Sequence, residues 1–504
     1  MDAFFDSIAS LLGDQVSGDH IKLVTCLIGT YPLALVYRKL PAENPTSRHV
    51  FSIAYVLFTM VYMLKFYTGA IHTGFTALFT YFFVKYYHGK SGPYINFVIA
   101  LLSMSICHID RQLKGYVGDT KLDYSGIMMV LIFKVSSFGF NVADGRYGAV
   151  TDFNKRMKID RYPSLIEYFG WLCFFGGFYV GPTCEYMDYY RYTNYFFLSS
   201  DKHLSPYKPA LKKVLLGVIF AGLMSTIGAK YTYFRMMEVD YLAMPFYKRF
   251  IAFELSGFVT RSKFYCVWML AEGSCILSGF GYNGIREGKH RWDRLTNIDW
   301  YAIETAQSMR YLSNRWNRSS NTWIRHYVYF RLATPESKNT IFALVASYTT
   351  SSIFHGFYSG YYLFFVGFSI FQILDRRMRK ILRPLVMSAE DSQKPLPGWK
   401  KLYDIAGYII SLRAGCALTA PFELLYLSRV VTVWGSVYYF HLVAYAVLWI
   451  LLLILEPTFL RIQERRLDQA AFKKSTKTVI HQDHNDIDQI VQKLSVKYEM
   501  DKSK

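Results

Sequence analysis

Apolar stretches long enough to matter to a bilayer recur along most of the chain. A helix needs about 20 mostly apolar residues to cross the hydrocarbon core. Runs of that kind, several short or interrupted, lie near 22–37, 50–69, 71–87, 93–108, 125–141, 165–181, 211–230, 264–281, 340–354, 356–374, 403–429 and 432–455. They predict an all-α, polytopic membrane protein of roughly ten to twelve transmembrane or re-entrant helices. Aromatics crowd the edges of the runs, as in Tyr81-Phe82-Phe83 and Tyr86-Tyr87, where interfacial belts are expected. No internal repeat of fixed period is visible, which weakens a repeat-built transporter.

Three regions stand outside that pattern. Residues 1–20 carry Asp2, Asp6, Asp14 and Asp19. They lack the basic start of a signal peptide, and Phe4–Leu12 reads as a short interfacial helix. The stretch from Asn283 to Thr340 is polar, basic and aromatic. Trp300, Ile303, Met309, Leu312 and Trp316 recur there near one helical face. That predicts amphipathic helices, lying on the membrane surface or packed into the protein. From Pro457 to Lys504 the chain is charged and nearly free of aromatics. A helix is expected over 465–480, with a mobile end on the cytosolic side. The expected division is an N-terminal interfacial segment (1–20), a membrane domain (21–456) and a charged cytosolic tail (457–504).

Composition narrows the function classes. Charged residues make up 19% of the 504 and aromatics 18%, against about 25% charged in soluble domains; disordered chains lack such aromatic content. The net charge of +20 comes from short basic segments between apolar runs, such as Arg376-Arg377-Met378-Arg379-Lys380. This is the positive-inside pattern rather than a nucleic-acid footprint, so no nucleic-acid partner is expected. The seven cysteines are scattered without CxxC spacing and read as buried thiols, not a disulfide framework or zinc site. With no P-loop, GxSxG or HExxH, ATP-driven transport and serine hydrolysis have no support, and no metal is expected.

Ionisable or strongly polar groups inside apolar runs cost about 2.5–3.5 kcal/mol when charged at a helix centre. They are therefore functional suspects. His355, in SYTTSSIFHGFYSGYYLFF, is flanked by Ser351, Ser352, Gly356, Ser359 and Gly360. A neutral imidazole is a good general base; the competing reading is a helix-packing histidine. Asn317, in RWNRSSNTWIRHYVYFR, can donate to a developing oxyanion. It can equally be a structural cap, and its sequon context is too basic and aromatic for an exposed glycosylated loop. Asp144, Glu185, Asp188, Glu272, Glu304 and His108 are further suspects, each alone more typical of an ion pair or a cap. The His481–Asp486 match to an HxxxxD acyltransferase pattern lies in the charged tail and is set aside as chance.

Taken together, Trp316-Asn317, Trp323-Ile324-Arg325, Tyr329-Phe330-Arg331 and His355-Gly356, thirty-eight residues beyond Asn317, resemble the membrane-bound O-acyltransferase family. The lysophospholipid branch, and its fungal broad-specificity enzymes above all, is the best match. Asp144-Gly145, Gly181-Pro182, Glu272-Gly273, Asn297-Ile298-Asp299 and Glu304-Thr305-Ala306-Gln307 add to the likeness, which runs from about residue 20 to 455. Phe354 replaces the branch's usual Trp and Ser359 its usual Pro. The FYxDWWN motif of the sterol- and diacylglycerol-esterifying branch is absent.

The resemblance implies helices around an intramembrane reaction chamber. It implies transfer of a fatty acyl chain from acyl-CoA, a co-substrate and not a cofactor, to a lysophospholipid. His355 would be the general base and Asn317 the oxyanion- or thioester-positioning group. Asp144, Glu304, Trp316, Trp323, Arg325, Arg331 and Tyr361 would contact substrate. The basic 285–331 segment would hold CoA phosphates or anchor to anionic lipid. Residence as a multi-pass protein of the endoplasmic reticulum membrane follows from the family as well. The rival readings are a lipid transporter or scramblase, and a non-catalytic membrane subunit.

Overall fold

The computed structural model describes residues 2–11, 17–115, 122–333 and 340–502. Its helices are α1 (Asp2–Leu11), α2 (Gly18–Lys39), α3 (Pro45–Phe58), α4 (Tyr67–Tyr86), α5 (Gly92–Leu113), α6 (Ser125–Tyr147) and α7 (Asp152–Met157). There follow α8 (Leu165–Leu172), α9 (Tyr186–Asn194), α10 (Tyr207–Leu223), α11 (Val239–Leu242), α12 (Phe246–Ser278), α13 (Trp300–Glu304) and α14 (Met309–Arg315). The last are α15 (Arg318–Trp323), α16 (Phe330–Leu332), α17 (Thr340–His355), α18 (Ser359–Leu382), α19 (Trp399–Leu424), α20 (Leu427–Ser436) and α21 (Phe440–Lys502). Among the described residues the one sheet is a two-stranded ribbon pairing Ile285–Arg286 with Lys289–His290.

The architecture is all-α, and six helical stretches among the described residues are long and apolar enough to cross a membrane: Gly18–Lys39, Gly92–Leu113, Ser125–Tyr147, Tyr207–Gly228, Trp399–Leu424 and Phe440–Lys473. Helices α4, α12 and α18 have membrane-spanning length but carry more polar sequence. The expected run at 165–181 is not one regular helix. It closes after eight residues of α8 and continues as a 3-10 turn over Phe175–Gly177. The Gly176-Gly177 and Gly181-Pro182 steps disfavour a continuous helix. The apolarity of this stretch reflects packing: Trp171, Phe174 and Phe175 are fully enclosed in the aromatic core with Tyr37, Phe138 and Tyr168.

Two other expected runs are also divided. The 403–429 run stops at Leu424, where Leu425 takes a left-handed φ of 66°. The 432–455 run is broken between α20 and α21 by Tyr438 and Tyr439 at φ 53° and 52°. The expected 264–281 span begins eighteen residues earlier, at Phe246. The described part of the polar stretch, 283–333, forms several short helices, with Thr305–Ser308 separating α13 from α14. It is packed into the protein: Trp300, Ile303, Leu312 and Trp316 join Phe220, Tyr265 and Trp268, while Met309 packs with Phe371 and Leu374 of α18.

Helix α21 passes straight through the expected boundary at 456/457 and continues to Lys502. Beyond Pro457 the sequence has no glycine and no further proline to stop it. The helix is docked on both sides of that boundary. Arg377 of α18 lies 2.5 Å from Glu456, and Arg466 donates to the carbonyls of Leu385 (2.7 Å) and Met387 (2.8 Å). The side chains of the 481–486 match fall outside the described residues. At the other terminus α1 forms as expected; Asp2 bridges Lys22 (2.9 Å) and Lys65 (2.5 Å).

Several of the charges that interrupt the apolar runs are neutralised across long sequence separations. Arg331 grips Asp144 with two hydrogen bonds of 2.8 and 2.6 Å, and Asn154 Nδ2 donates to the same carboxylate at 3.1 Å. Arg261 of α12 grips Glu304 of α13 with two at 2.8 Å, and the Tyr265 hydroxyl adds a third at 2.6 Å. Glu272 takes Lys213 at 2.9 Å and Thr296 at 2.5 Å. Glu254 takes Arg413 at 2.6 Å and His441 at 2.7 Å. Paired and hydrogen-bonded, these groups tolerate the low-dielectric interior; unpaired, they would not.

Removing one partner of such a pair costs about 3–5 kcal/mol, because the other charge is left buried alone. Arg331→Ala and Asp144→Ala are each expected to lower the melting temperature in detergent micelles by several degrees. The double variant is expected to lose less than the sum, and strictly additive losses would contradict the pairing. Helix α18 also meets the end of α19 closely: the Gly360 amide donates to the Leu425 carbonyl at 2.7 Å, and a Cβ on Gly360 would sit 2.1 Å from the Pro421 carbonyl oxygen. Gly360→Val is expected to destabilise by about 1–3 kcal/mol, the usual penalty of overpacking, read in the same melting experiment; an unchanged melting temperature would contradict that contact.

Candidate active site

A cavity of about 1820 Å³ runs through the helical domain. Pockets for one small ligand occupy roughly 300–1,000 Å³, so this one has room for two. Both Asn317 and His355 line it, together with Trp316, Trp323, Arg325 and Tyr361. Tyr361 and Arg376 of α18 both face it, so it extends about 22 Å along that helix at 1.5 Å per residue. Arg310, Asn314, Arg325, Gln372 and Arg376 line one end; Phe422, Leu425 and Arg429 line the other.

His355 is the last residue of α17. Its ring lies among Phe422 (5.0 Å between centroids), Phe365 (5.3 Å) and Tyr361 (5.5 Å). The helix end is held from α5: His108 Nε2 donates to the Phe354 carbonyl at 3.0 Å, satisfying one of the carbonyls that a helix C-terminus leaves open. The turn that follows needs glycine. Gly356 has φ 114°, and a Cβ there would lie 3.2 Å from the His108 ring.

Asn317 is the N-cap of α15, at φ 40° and ψ 61°. Among non-glycine residues Asn adopts this left-handed conformation at low cost. Its Oδ1 accepts the Ser320 amide at 3.3 Å. A cap requires an acceptor, so the amide orientation is fixed and the Nδ2 donors remain for the cavity. The backbone on either side is pinned. Asn297 accepts Arg318 N (2.9 Å) on its carbonyl and Ser319 Oγ (2.8 Å) on its side chain. Trp316 packs edge-on against Phe264 (5.5 Å) and Trp268 (5.6 Å).

An aromatic bridge joins the two halves of the site. Trp323, at the end of α15, donates Nε1 to Ser136 Oγ of α6 at 3.0 Å and packs against Phe133 at 4.8 Å and Phe354 at 5.7 Å. Phe133 stacks on Phe354 at 4.2 Å. The helix that begins at Asn317 and the helix that ends at His355 therefore share one set of rings.

The structure separates the residues expected to contact substrate into two groups. Trp316, Trp323, Arg325 and Tyr361 are in the cavity wall, and Arg325 Nη2 donates to Asn314 Oδ1 at 3.2 Å. Asp144, Glu304 and Arg331 are not. Their charges meet in the Asp144–Arg331 and Glu304–Arg261 pairs, which brace the surrounding helices. Glu185 braces too: it accepts Asn141 Nδ2 at 2.9 Å and the Tyr327 hydroxyl at 2.8 Å. Burial pushes its carboxyl up to about 7, against the pull of those donors. Residue-by-residue reading missed Lys263, Glu423 and Arg429. Lys263 and Glu423 pair at 2.6 Å in the wall, a partnership that no local sequence signal announces. The described residues contain no cluster of metal-ligating side chains.

Comparison with known proteins agrees with this geometry. The pattern described as MBOAT, membrane-bound O-acyltransferase family, matches residues 151–419. A lysophospholipid acyltransferase of Schizosaccharomyces pombe is 31% identical over 449 residues, 87% of this chain and 87% of that protein. One from Saccharomyces cerevisiae is 30% identical, covering 83% of this chain and 72% of its own length. A human membrane-bound glycerophospholipid O-acyltransferase 2 is 26% identical over 88% and 86%. With the family pattern spanning more than half of its length and relatives aligned over most of both sequences, the chain belongs to the membrane-bound O-acyltransferase family.

Proposed function

We propose that the protein transfers a fatty acyl chain from acyl-CoA to the free hydroxyl of a lysophospholipid. The observation that carries this reading is a single cavity with an imidazole and a free carboxamide donor in its wall. The names of the fungal relatives support the acceptor class. Asymmetry of the cavity supports the donor. Its Arg310, Arg325 and Arg376 end adjoins the basic Arg376–Lys380 stretch and the docked start of the tail. Positive-inside bias makes that end cytosolic, where a CoA nucleotide is available, and arginine suits its phosphates. The same bias puts the C-terminal tail in the cytosol; the family supports the endoplasmic reticulum membrane as its site.

In the proposed reaction His355 accepts the proton of the lysophospholipid hydroxyl as the oxygen attacks the thioester carbon. The carbonyl becomes a tetrahedral oxyanion, which the Asn317 Nδ2 donors stabilise. Collapse breaks the carbon–sulfur bond, and the departing CoA thiolate takes the proton from the imidazolium. No covalent acyl-enzyme is required. The aromatic surround of His355 excludes water that would hydrolyse the thioester.

The test is purified protein in micelles with radiolabelled oleoyl-CoA and lysophosphatidylcholine, following label in phospholipid and thiol release. His355→Ala is expected to lower turnover by about 10²–10⁴-fold, and Asn317→Ala by about 10²–10³-fold. Full activity in a well-folded His355→Ala would overturn the assignment of the base. Lipid movement by wild type without thioester consumption would favour the transporter reading instead.

A further inference from the structure

The two proposed substrates place phosphate at different distances from the reacting atoms. In acyl-CoA the whole pantetheine arm separates the thioester from the nearest phosphate. In a lysophospholipid only a few bonds separate the free hydroxyl from the phosphodiester. With the hydroxyl at His355, Arg376, about 22 Å along α18 from Tyr361, cannot reach that phosphate, and Arg325 is engaged with Asn314 at 3.2 Å. A cation near His355 is required.

Outside the Arg310, Arg325 and Arg376 group, four cationic side chains line the cavity: Arg111, Arg261, Lys263 and Arg429. Three are already neutralised. Arg111 Nε is 3.2 Å from Asp123, Arg261 is doubly bonded to Glu304, and Lys263 is 2.6 Å from Glu423. Arg429 has no carboxylate partner among the described residues. Its guanidinium carbon instead lies 5.0 Å from the Tyr426 ring centre and 5.8 Å from that of Phe234. Aromatic faces hold a guanidinium in place without consuming its hydrogen-bond donors.

The segment that leads into Arg429 touches the residues that follow His355. The Gly360 amide donates to the Leu425 carbonyl at 2.7 Å, Leu427 N donates to Ser359 Oγ at 3.1 Å, and the Tyr358 and Tyr426 rings lie 5.4 Å apart. Residues 425–427, immediately before Arg429 on the same turn of chain, are thus laced to the turn that begins α18. Resting on the acyltransferase reading above, we propose that Arg429 binds the phosphodiester of the lysophospholipid. It thereby sets the preference for a phosphate-bearing acceptor over an uncharged monoacylglycerol. Its fork of N–H groups matches two phosphate oxygens, and the site is distinct from the arginines that serve CoA.

The experiment compares kcat/KM for lysophosphatidylcholine with that for a monoacylglycerol of the same chain, in the same micelles, for wild type and Arg429→Gln. The ratio is internal to each preparation, so loss of folded protein cancels. Removing a charge-assisted hydrogen bond is expected to lower it about tenfold or more, with the KM for oleoyl-CoA unchanged; Arg429→Lys is expected to fall between. An unchanged ratio in Arg429→Gln overturns the proposal. So does a raised KM for oleoyl-CoA with the ratio intact, which would assign Arg429 to the CoA phosphates. If Arg429→Gln turns over neither acceptor, competition of monoacylglycerol against bound radiolabelled lysophosphatidylcholine supplies the same ratio, read the same way. Wild type that esterifies neither acceptor defeats the acyltransferase reading itself.

Discussion

A charge taken out of water inside a helical membrane domain must find an opposite charge or a set of hydrogen bonds, and this requirement organises the protein. Helix α12 shows it best. Glu254, Arg261, Lys263 and Glu272 follow one another along it, and each is answered by a different segment: Arg413 and His441, Glu304, Glu423, and Lys213. These pairs tie α10, α13, α19 and α21 to one axis. The Asp144–Arg331 pair does the same for α6 and the segment after Asn317.

His355 and Asn317 sit where helices end: His355 closes α17 and Asn317 opens α15. Helix ends leave backbone groups to be satisfied, and here the satisfaction is what positions the side chains: His108 holds the Phe354 carbonyl, and the Asn317 cap turns its amide donors toward the cavity. Trp323, Phe133 and Phe354 then fix one end against the other. The result is an imidazole and an amide placed by packing rather than by flexible loops.

Much of this was legible in the chain itself. Apolar runs gave the all-α membrane architecture, and His355 and Asn317 stood out because polar groups in such surroundings are costly. Partnerships were not legible. Asp144 and Arg331 are 187 residues apart, so each looked like a free functional charge when read locally. The 165–181 run was misleading because burial in protein and burial in lipid select the same residues. The 246–263 part of α12 was hidden for the opposite reason, its charges masking a helix whose partners lie far along the sequence. Arg429 drew no notice because an arginine at the end of an apolar run is ordinary; only the absence of a carboxylate beside it, among the described residues, sets it apart.

The central claim is that His355 and Asn317 act on one thioester inside the cavity. It is tested most directly by a structure of the protein with a non-hydrolysable thioether analogue of acyl-CoA that retains the carbonyl. The account predicts the carbonyl oxygen within about 2.6–3.2 Å of Asn317 Nδ2, the imidazole of His355 beside the carbonyl carbon, and the nucleotide against Arg310, Arg325 and Arg376. An analogue bound with its carbonyl remote from both side chains, or with its nucleotide at Arg429, would contradict it.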